Sequence, residues 1–148
     1  MRPENVPSNL NAVEVESAIR TFWKLFATKK SEQWQSFYAD VALVFGTASK
    51  RPEPARLVVL RRQREYMAGS TRMQVEVGHI DVEMLGPNCA VAGYILKLHA
   101  EQVAKMSASG NRELEEHLEN ARVTQVFMRD EEGSLRIVHE HVSTPAET

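Results

Sequence analysis

Cysteine is nearly absent from the 148 residues: Cys89 stands alone, which excludes an intrachain disulfide and every multi-cysteine metal motif. An excess of either charge is missing too. Eighteen Lys and Arg against twenty Asp and Glu leave a net charge of −2, which disfavours nucleic-acid binding and attraction to an anionic membrane surface. No run approaches the roughly 20 apolar residues that a spanning helix needs, and Met1-Arg2-Pro3-Glu4-Asn5 lacks the apolar core of a secretory signal. The expectations are no membrane, no nucleic acid and a cytoplasmic location. What is present, 43% hydrophobic and 26% charged residues, is the ordinary composition of one compact soluble domain.

Residues 1–10 carry little periodicity and read as a loose arm, residues 11–143 as a single domain and 144–148 as a tail. Val15, Ala18, Ile19, Phe22, Leu25 and Phe26 recur at helical spacing behind an Asn11/Glu14 capping start. Ser31 is cap-like, and Trp34, Phe37 and Tyr38 follow at i, i+3, i+4, which predicts a short second helix. Val41-Ala42-Leu43-Val44-Phe45 reads as a strand closed by Gly46. Pro52 and Pro54 sit where helix starts tolerate proline, so 55–67 is a third helix ended by Gly69, with Arg56, Arg61, Arg62 and Arg64 as a solvated face.

Beyond Gly69 the period changes to two. Val75 and Val77 alternate on one phase and Ile80, Val82 and Met84 on the other, so the strand slips register near Gly78-His79 as a β-bulge does. Gly86-Pro87-Asn88 is a turn, and 89–103 pairs back antiparallel. Residues 105–120 read as a long connection, either mobile or folded into a brief helix around 112–118. Strands at 122–129 and 135–143 flank the turn at 130–134. Helices first and an antiparallel meander after predict an α+β domain in which a curved antiparallel sheet wraps three N-terminal helices.

Phe37-Tyr38-Ala39-Asp40 leading into Val44-Phe45-Gly46-Thr47, Met84-Leu85-Gly86 before Ala90-Val91-Ala92, and the terminal Arg136-Ile137-Val138-His139-Glu140-His141-Val142-Ser143 carry a resemblance. Over 13–143 the chain resembles the nuclear-transport-factor-2-like superfamily, whose cone-shaped fold is shared by ketosteroid isomerase, the SnoaL-like polyketide cyclases and the association domain of calcium/calmodulin-dependent kinase. The terminal strand looks like the SnoaL-like and kinase-association branches. The resemblance implies a pocket between the concave sheet and the helices, and a homodimer through the other sheet face. The position of the isomerase's tyrosine donor is Phe22 here, that of its aspartate base is Gly46 and that of its second aspartate is Gln125, so isomerase activity does not carry over. Positions matching the kinase domain's arginines are Leu96 and Gln125. The implied cavity is apolar, walled by Phe22, Tyr38, Tyr94, Leu96 and Val138, and no cofactor is expected.

Within that cone Glu140 is the acid candidate. The superfamily's usual phase turns Arg136, Val138, Glu140 and Val142 inward and Leu135, Ile137, His139 and His141 outward, although Leu135 and Ile137 also call for burial. Desolvation would bring the Glu140 carboxyl toward neutral pH, while Arg136 beside it would oppose that or make a structural ion pair. Thr124 and Gln125 point to opposite faces, and Gln125 is the one read as inward. His139 and His141 could chelate a metal only with a third ligand from His79 or His99, and otherwise line a dimer interface. Trp23, Trp34 and Tyr38 could stack on a planar ligand or form core. Two readings remain. In one, the cone binds a small, largely apolar molecule through Gln125 and Glu140, and Glu140 moves a proton in isomerisation, cyclisation or dehydration while Gln125 orients a carbonyl. In the other, the chain is a non-catalytic association module whose outer face bears Ile137, His139 and His141.

Overall fold

The computed structural model describes residues 9–46, 50–55, 60–103 and 113–145. Asn11 opens the first helix through its side chain, whose Oδ1 accepts the backbone N–H of Glu14 at 2.9 Å, and α1 (Ala12–Ala27) follows. Its apolar stripe buries Val15, Ile19, Phe22, Trp23 and Phe26, each large side chain contributing about 1.5–3 kcal/mol by leaving water. Leu10, on the arm side of the expected boundary, is already buried, and its N–H is held by the Pro87 carbonyl at 2.8 Å.

After α2 (Ser31–Gln35) come β1 (Tyr38–Phe45), β2 (Glu53–Pro54), α3 (Leu60–Gly69), β3 (Ser70–Val77), β4 (Asp81–Gly86), β5 (Cys89–Val103), β6 (Glu113–Arg129) and β7 (Leu135–Ser143). The strands join in one sheet of order β2-β1-β7-β6-β5-β3, with β4 continuing the β3 line along β5. Neighbours are antiparallel except β1 and β7, which run parallel. The sheet is therefore mixed rather than wholly antiparallel, because no tight turn joins its first and last long strands and their relative sense is free. The α+β cone holds: α1 packs on β3, β4 and β5. Along β5 and β6 the inward residues Ala90, Ala92, Tyr94, Leu96, Ala121, Val123, Gln125 and Phe127 are all buried. No helix among the described residues is long and apolar enough to cross a membrane.

Several local expectations change. Ser31 is the first helical residue rather than the cap, and the cap position, Lys30, makes no side-chain bond. Phe37 and Tyr38 leave the helix because β7 captures them: the Ile137 N–H donates to the Phe37 carbonyl at 2.6 Å, and Tyr38 begins β1. Glu53 and Pro54 form an edge strand on β1 instead of a helix start, where a residue without an N–H costs the ladder nothing. The third helix is described from residue 60, and Arg56 lies outside the described residues.

The slip near Gly78 takes the form of a break: Val77 pairs with Leu96 and Asp81 with Gly93, while the Gly78 N–H reaches the Ile95 carbonyl at 2.9 Å. The brief helix around 112–118 does not form. Residues 113–118 extend β6 against β5, from Glu113 opposite Val103 to Leu118 opposite Leu98, so the pairing partner decides the state of this Glu-rich piece. The rest of that connection up to the strand, 105–112, lies outside the described residues.

Candidate functional site

On β7 Ile137 is fully buried, and Glu140, three residues further on, is only 5% exposed. Strict alternation would put them on opposite faces. Phe127 of β6 pairs with Ile137 and Val126 with His139, so Val138 is left without a partner as the extra residue of a β-bulge. That one residue resets the phase. Glu140 stays inward as expected, and the competing claim of Ile137 to burial is met as well. Val138 and Arg136 do not share the Glu140 face: Val138 is the half-buried bulge residue, and Arg136 pairs with the exposed Met128. The Arg136 guanidinium donates to Asp130 at 3.2 Å and to the Ser36 carbonyl, outside the cone.

Directly opposite Glu140 on β6 is Gln125, with no exposed surface, while Thr124 is exposed. Together with three aromatic residues they form one hydrogen-bonded line across the interior. Trp23 Nε1 of α1 donates to Tyr94 Oη of β5 at 2.7 Å. Tyr94 donates onward to Gln125 Oε1 at 2.7 Å, and Gln125 Nε2 donates to Glu140 Oε2 at 2.6 Å. From the other side Tyr38 Oη of β1 donates to the Glu140 carboxylate, 2.9 Å from Oε1 and 3.0 Å from Oε2. Phe22 and Leu96, each 1% exposed, belong to the surrounding core, and the Phe22 ring lies 5.7 Å from that of Tyr38. Six of the expected wall residues, Phe22, Tyr38, Tyr94, Leu96, Gln125 and Glu140, are thus buried in one region; Arg136 and Val138 are not part of it.

Burial sets the electrostatics. The Glu140 pKa is raised above its ordinary 4.5 because desolvation penalises the charged form; the hydrogen bonds from Gln125 and Tyr38 pull the other way without cancelling it. Desolvation also raises the Tyr38 phenol, and the nearby Glu140 charge adds to this. Tyr94 is likewise raised by burial. No Lys, Arg or His among the described residues neutralises Glu140, so the ion pair with Arg136 does not form. An acid held without a cation between neutral donors keeps its proton to a higher pH than a free carboxyl does, the direction of shift that acid–base chemistry uses.

The helical spacing of Trp23 reads as core or as a stacking platform and gives no sign that its indole N–H starts this line. The available signal was that a buried Trp or Tyr must place its polar atom somewhere. Outside Tyr38 the surface carries an open cleft of about 590 Å³, lined among others by Glu32, Gln35, Asp40, Asp130 and Arg136, with Tyr38 forming part of its floor. His139 and His141 lie on the outer face against Phe45, ring centres 6.5 and 5.3 Å away. Among the described residues no three His, Cys, Asp or Glu side chains gather as metal ligands.

The family model for the SnoaL-like domain matches residues 15–147. No curated protein matches the chain. Among solved structures, a candidate calcium/calmodulin-dependent protein kinase II association domain from Xanthomonas campestris is 18% identical, with a TM-score of 0.69 over 100% of this chain and 97% of that one. A candidate dehydratase of the NTF2-like family from Streptomyces avermitilis is 17% identical, with a TM-score of 0.69 over 90% and 95%. A candidate scytalone dehydratase from Novosphingobium aromaticivorans has a TM-score of 0.74 at 8% identity, over 90% of this chain and 83% of that one. At such identities these neighbours establish the cone fold, and the chemistry rests on the site itself.

Proposed function

The chain belongs to the SnoaL-like domain family, and on that premise we propose that it binds a small, largely apolar molecule beside Glu140 and performs acid–base chemistry on it, of the isomerisation, cyclisation or dehydration type. The carrying observation is a carboxylate only 5% exposed, raised by desolvation, and met by two neutral donors, Tyr38 and Gln125. Glu140 takes a proton from the bound molecule and returns it at another atom; Tyr38, bonded to both carboxylate oxygens, holds the acceptor in place and follows its charge. A positioned acid or base of this kind contributes on the order of 10²–10⁴-fold. Gln125 accepts from Tyr94 and gives one N–H to Glu140, which orients the acid, and its second amide N–H is the donor toward a substrate carbonyl. Neighbours named as dehydratases support a proton-moving cone.

Thermal-shift titration of the wild type and Glu140→Gln with apolar carbonyl and hydroxyl compounds tests this. Ligands should raise the wild-type melting temperature and leave Glu140→Gln unmoved; equal shifts in both would remove Glu140 from the site.

A second reading, homodimerisation through the outer sheet face, is favoured by a row that crosses four strands there: Val91, Val126, His139 and Leu43. Ile95, Leu43 and Met128 leave 43%, 43% and 44% of their surface exposed on the described chain. A neighbour named as an association domain supports it. Binding inside and pairing outside use opposite faces and coexist.

A further inference from the structure

Along β5 the side chains of Ala90, Ala92 and Tyr94 point inward, so Val91 and Gly93 between them point outward, together with the residues directly opposite on the neighbouring strands. Two rows result. Glu83 of β4 pairs with Val91, Val91 with Val126, Val126 with His139 and His139 with Leu43. One step along the strands, Asp81 pairs with Gly93, Gly93 with Thr124, Thr124 with His141 and His141 with Phe45. Each row runs from an exposed carboxylate on β4, through small or apolar residues on β5 and β6, to a histidine on β7.

This order is symmetric about the midline between β5 and β6, with β4 one strand beyond it on one side and β7 one strand beyond it on the other. At the usual strand spacing each charged end lies about 7 Å from that line. A second copy laid face to face about a two-fold axis along the midline sets β5 over β6 and β4 over β7. Val91 then meets Val126, Glu83 faces His139 and Asp81 faces His141, each across the interface. Packed sheets stand about 10 Å apart, a gap that a carboxylate and an imidazole reach into from both sides. An axis at right angles to the strands sets Glu83 over Asp81 and His139 over His141, like against like.

Resting on the homodimer reading above, we propose that a second copy docks on this face with the two-fold axis along β5 and β6, and that the acid-to-histidine rows tighten the pairing as pH falls toward 6. Histidine gains its charge between about pH 8 and 5, while Asp and Glu stay ionised to about pH 4.

The other charged or titratable groups described within two steps of these rows do not reverse that sign. Arg122 of β6 lies opposite Ile95 and Ser143 and donates to the Thr144 carbonyl at 3.4 Å. Lys97 of β5 pairs with Glu76 of β3. On the other side Cys89 and Arg136 lie opposite Met128, and Arg136 is tied to Asp130. At the two rows β1 presents only Leu43 and Phe45. His79 stands 3.2 Å from Asp81 in the same chain and competes for it, so the row from Glu83 to His139 carries the larger share.

Sedimentation equilibrium of the full chain at pH 8, 7 and 6 tests the pairing. Two rows, each present twice in a two-fold dimer, give four exposed pairs, and the dimer Kd should fall about tenfold from pH 8 to 6. Asp81→Asn combined with Glu83→Gln should keep the pH 8 affinity within about twofold and lose the trend. Both positions are exposed, and Glu140 is the same in the two proteins, so the difference belongs to the rows. Glu83→Lys should weaken the dimer most at pH 6, where lysine faces a charged imidazole. A wild-type affinity that is constant or falls toward pH 6, or a Glu83→Lys chain that pairs more tightly, overturns this orientation and its pH response while the outer-face dimer stands. A chain that is monomeric at every pH overturns the homodimer reading and this inference with it.

Discussion

Ile137 and Glu140 point into the same interior although they stand three residues apart on one strand, and the unpaired Val138 between them makes this possible. A regular strand would bury one and expose the other. Without the extra residue, Phe127 and Val126 would still meet Ile137 and His139 in unbroken succession, and the following glutamate would remain inward. Deleting Val138 should therefore preserve the fold and keep the acid buried, with a stability cost of about 1–3 kcal/mol from the altered twist and the β1 pairing. Chemical denaturation would measure the cost. A Glu140 midpoint that falls to the ordinary carboxylate value in the deletion variant would contradict the geometry.

Glu140 also fixes the sign of one component of the pH dependence. Its folded-state pKa lies above the ordinary 4.5, so the native state holds the proton more tightly than the unfolded chain. The contribution is fully present below 4.5 and is lost as pH rises through the folded-state midpoint. Asp130 acts with the opposite sign, its pKa lowered first by the Ser134 backbone N–H and also by Arg136, and its contribution is lost only as pH falls below its ordinary 3.8. The two windows do not overlap. Glu140→Gln should flatten the decline above 4.5 and leave the acid limb in place, as melting curves at a series of pH values would show.

Ile137 now reports folding rather than assembly. With no exposed surface, an Asp at this position would bury an unpaired charge, at a cost of several kcal/mol that a small domain does not survive. The outer face is tested at Leu43 and Ile95, each 43% exposed. The pair Leu43→Lys and Ile95→Lys should convert a dimer to a monomer in sedimentation, while each change alters the monomer's stability by no more than about 0.5 kcal/mol. A wild type that already sediments as a monomer would dismiss the outer-face reading.

The fold was legible wherever periodicity and tight turns govern it. The stripe from Val15 to Phe26, the hairpin around Gly86-Pro87-Asn88 and the last strand all lie where the pattern puts them. What escaped were features set by partners distant in sequence. Tyr38 reads as helical from Trp34 onward, but β7 claims it as strand. The Glu-rich piece from 113 is extended because β5 offers it a partner, which no local propensity records. Glu140 and Gln125 could be placed inward one strand at a time; that they meet each other, and that Trp23 and Tyr94 lie behind them, is a matter of register between strands.

Asn120 offers a test of that register. It adopts φ +55°, the left-handed region, at the point where β5 and β6 change step: Leu96 pairs with Ala121, and Leu98 with Leu118. Two residues of β6 there face one of β5, and the pair of long strands bends. Asn tolerates this conformation better than residues with branched side chains, which crowd the carbonyl. Asn120→Val should destabilise the domain by about 1–2 kcal/mol, and Asn120→Gly should be neutral or slightly stabilising, because glycine takes positive φ freely. Equal losses in denaturant melts of the two variants would mean that the side chain of Asn120, and not its backbone, supports the bend.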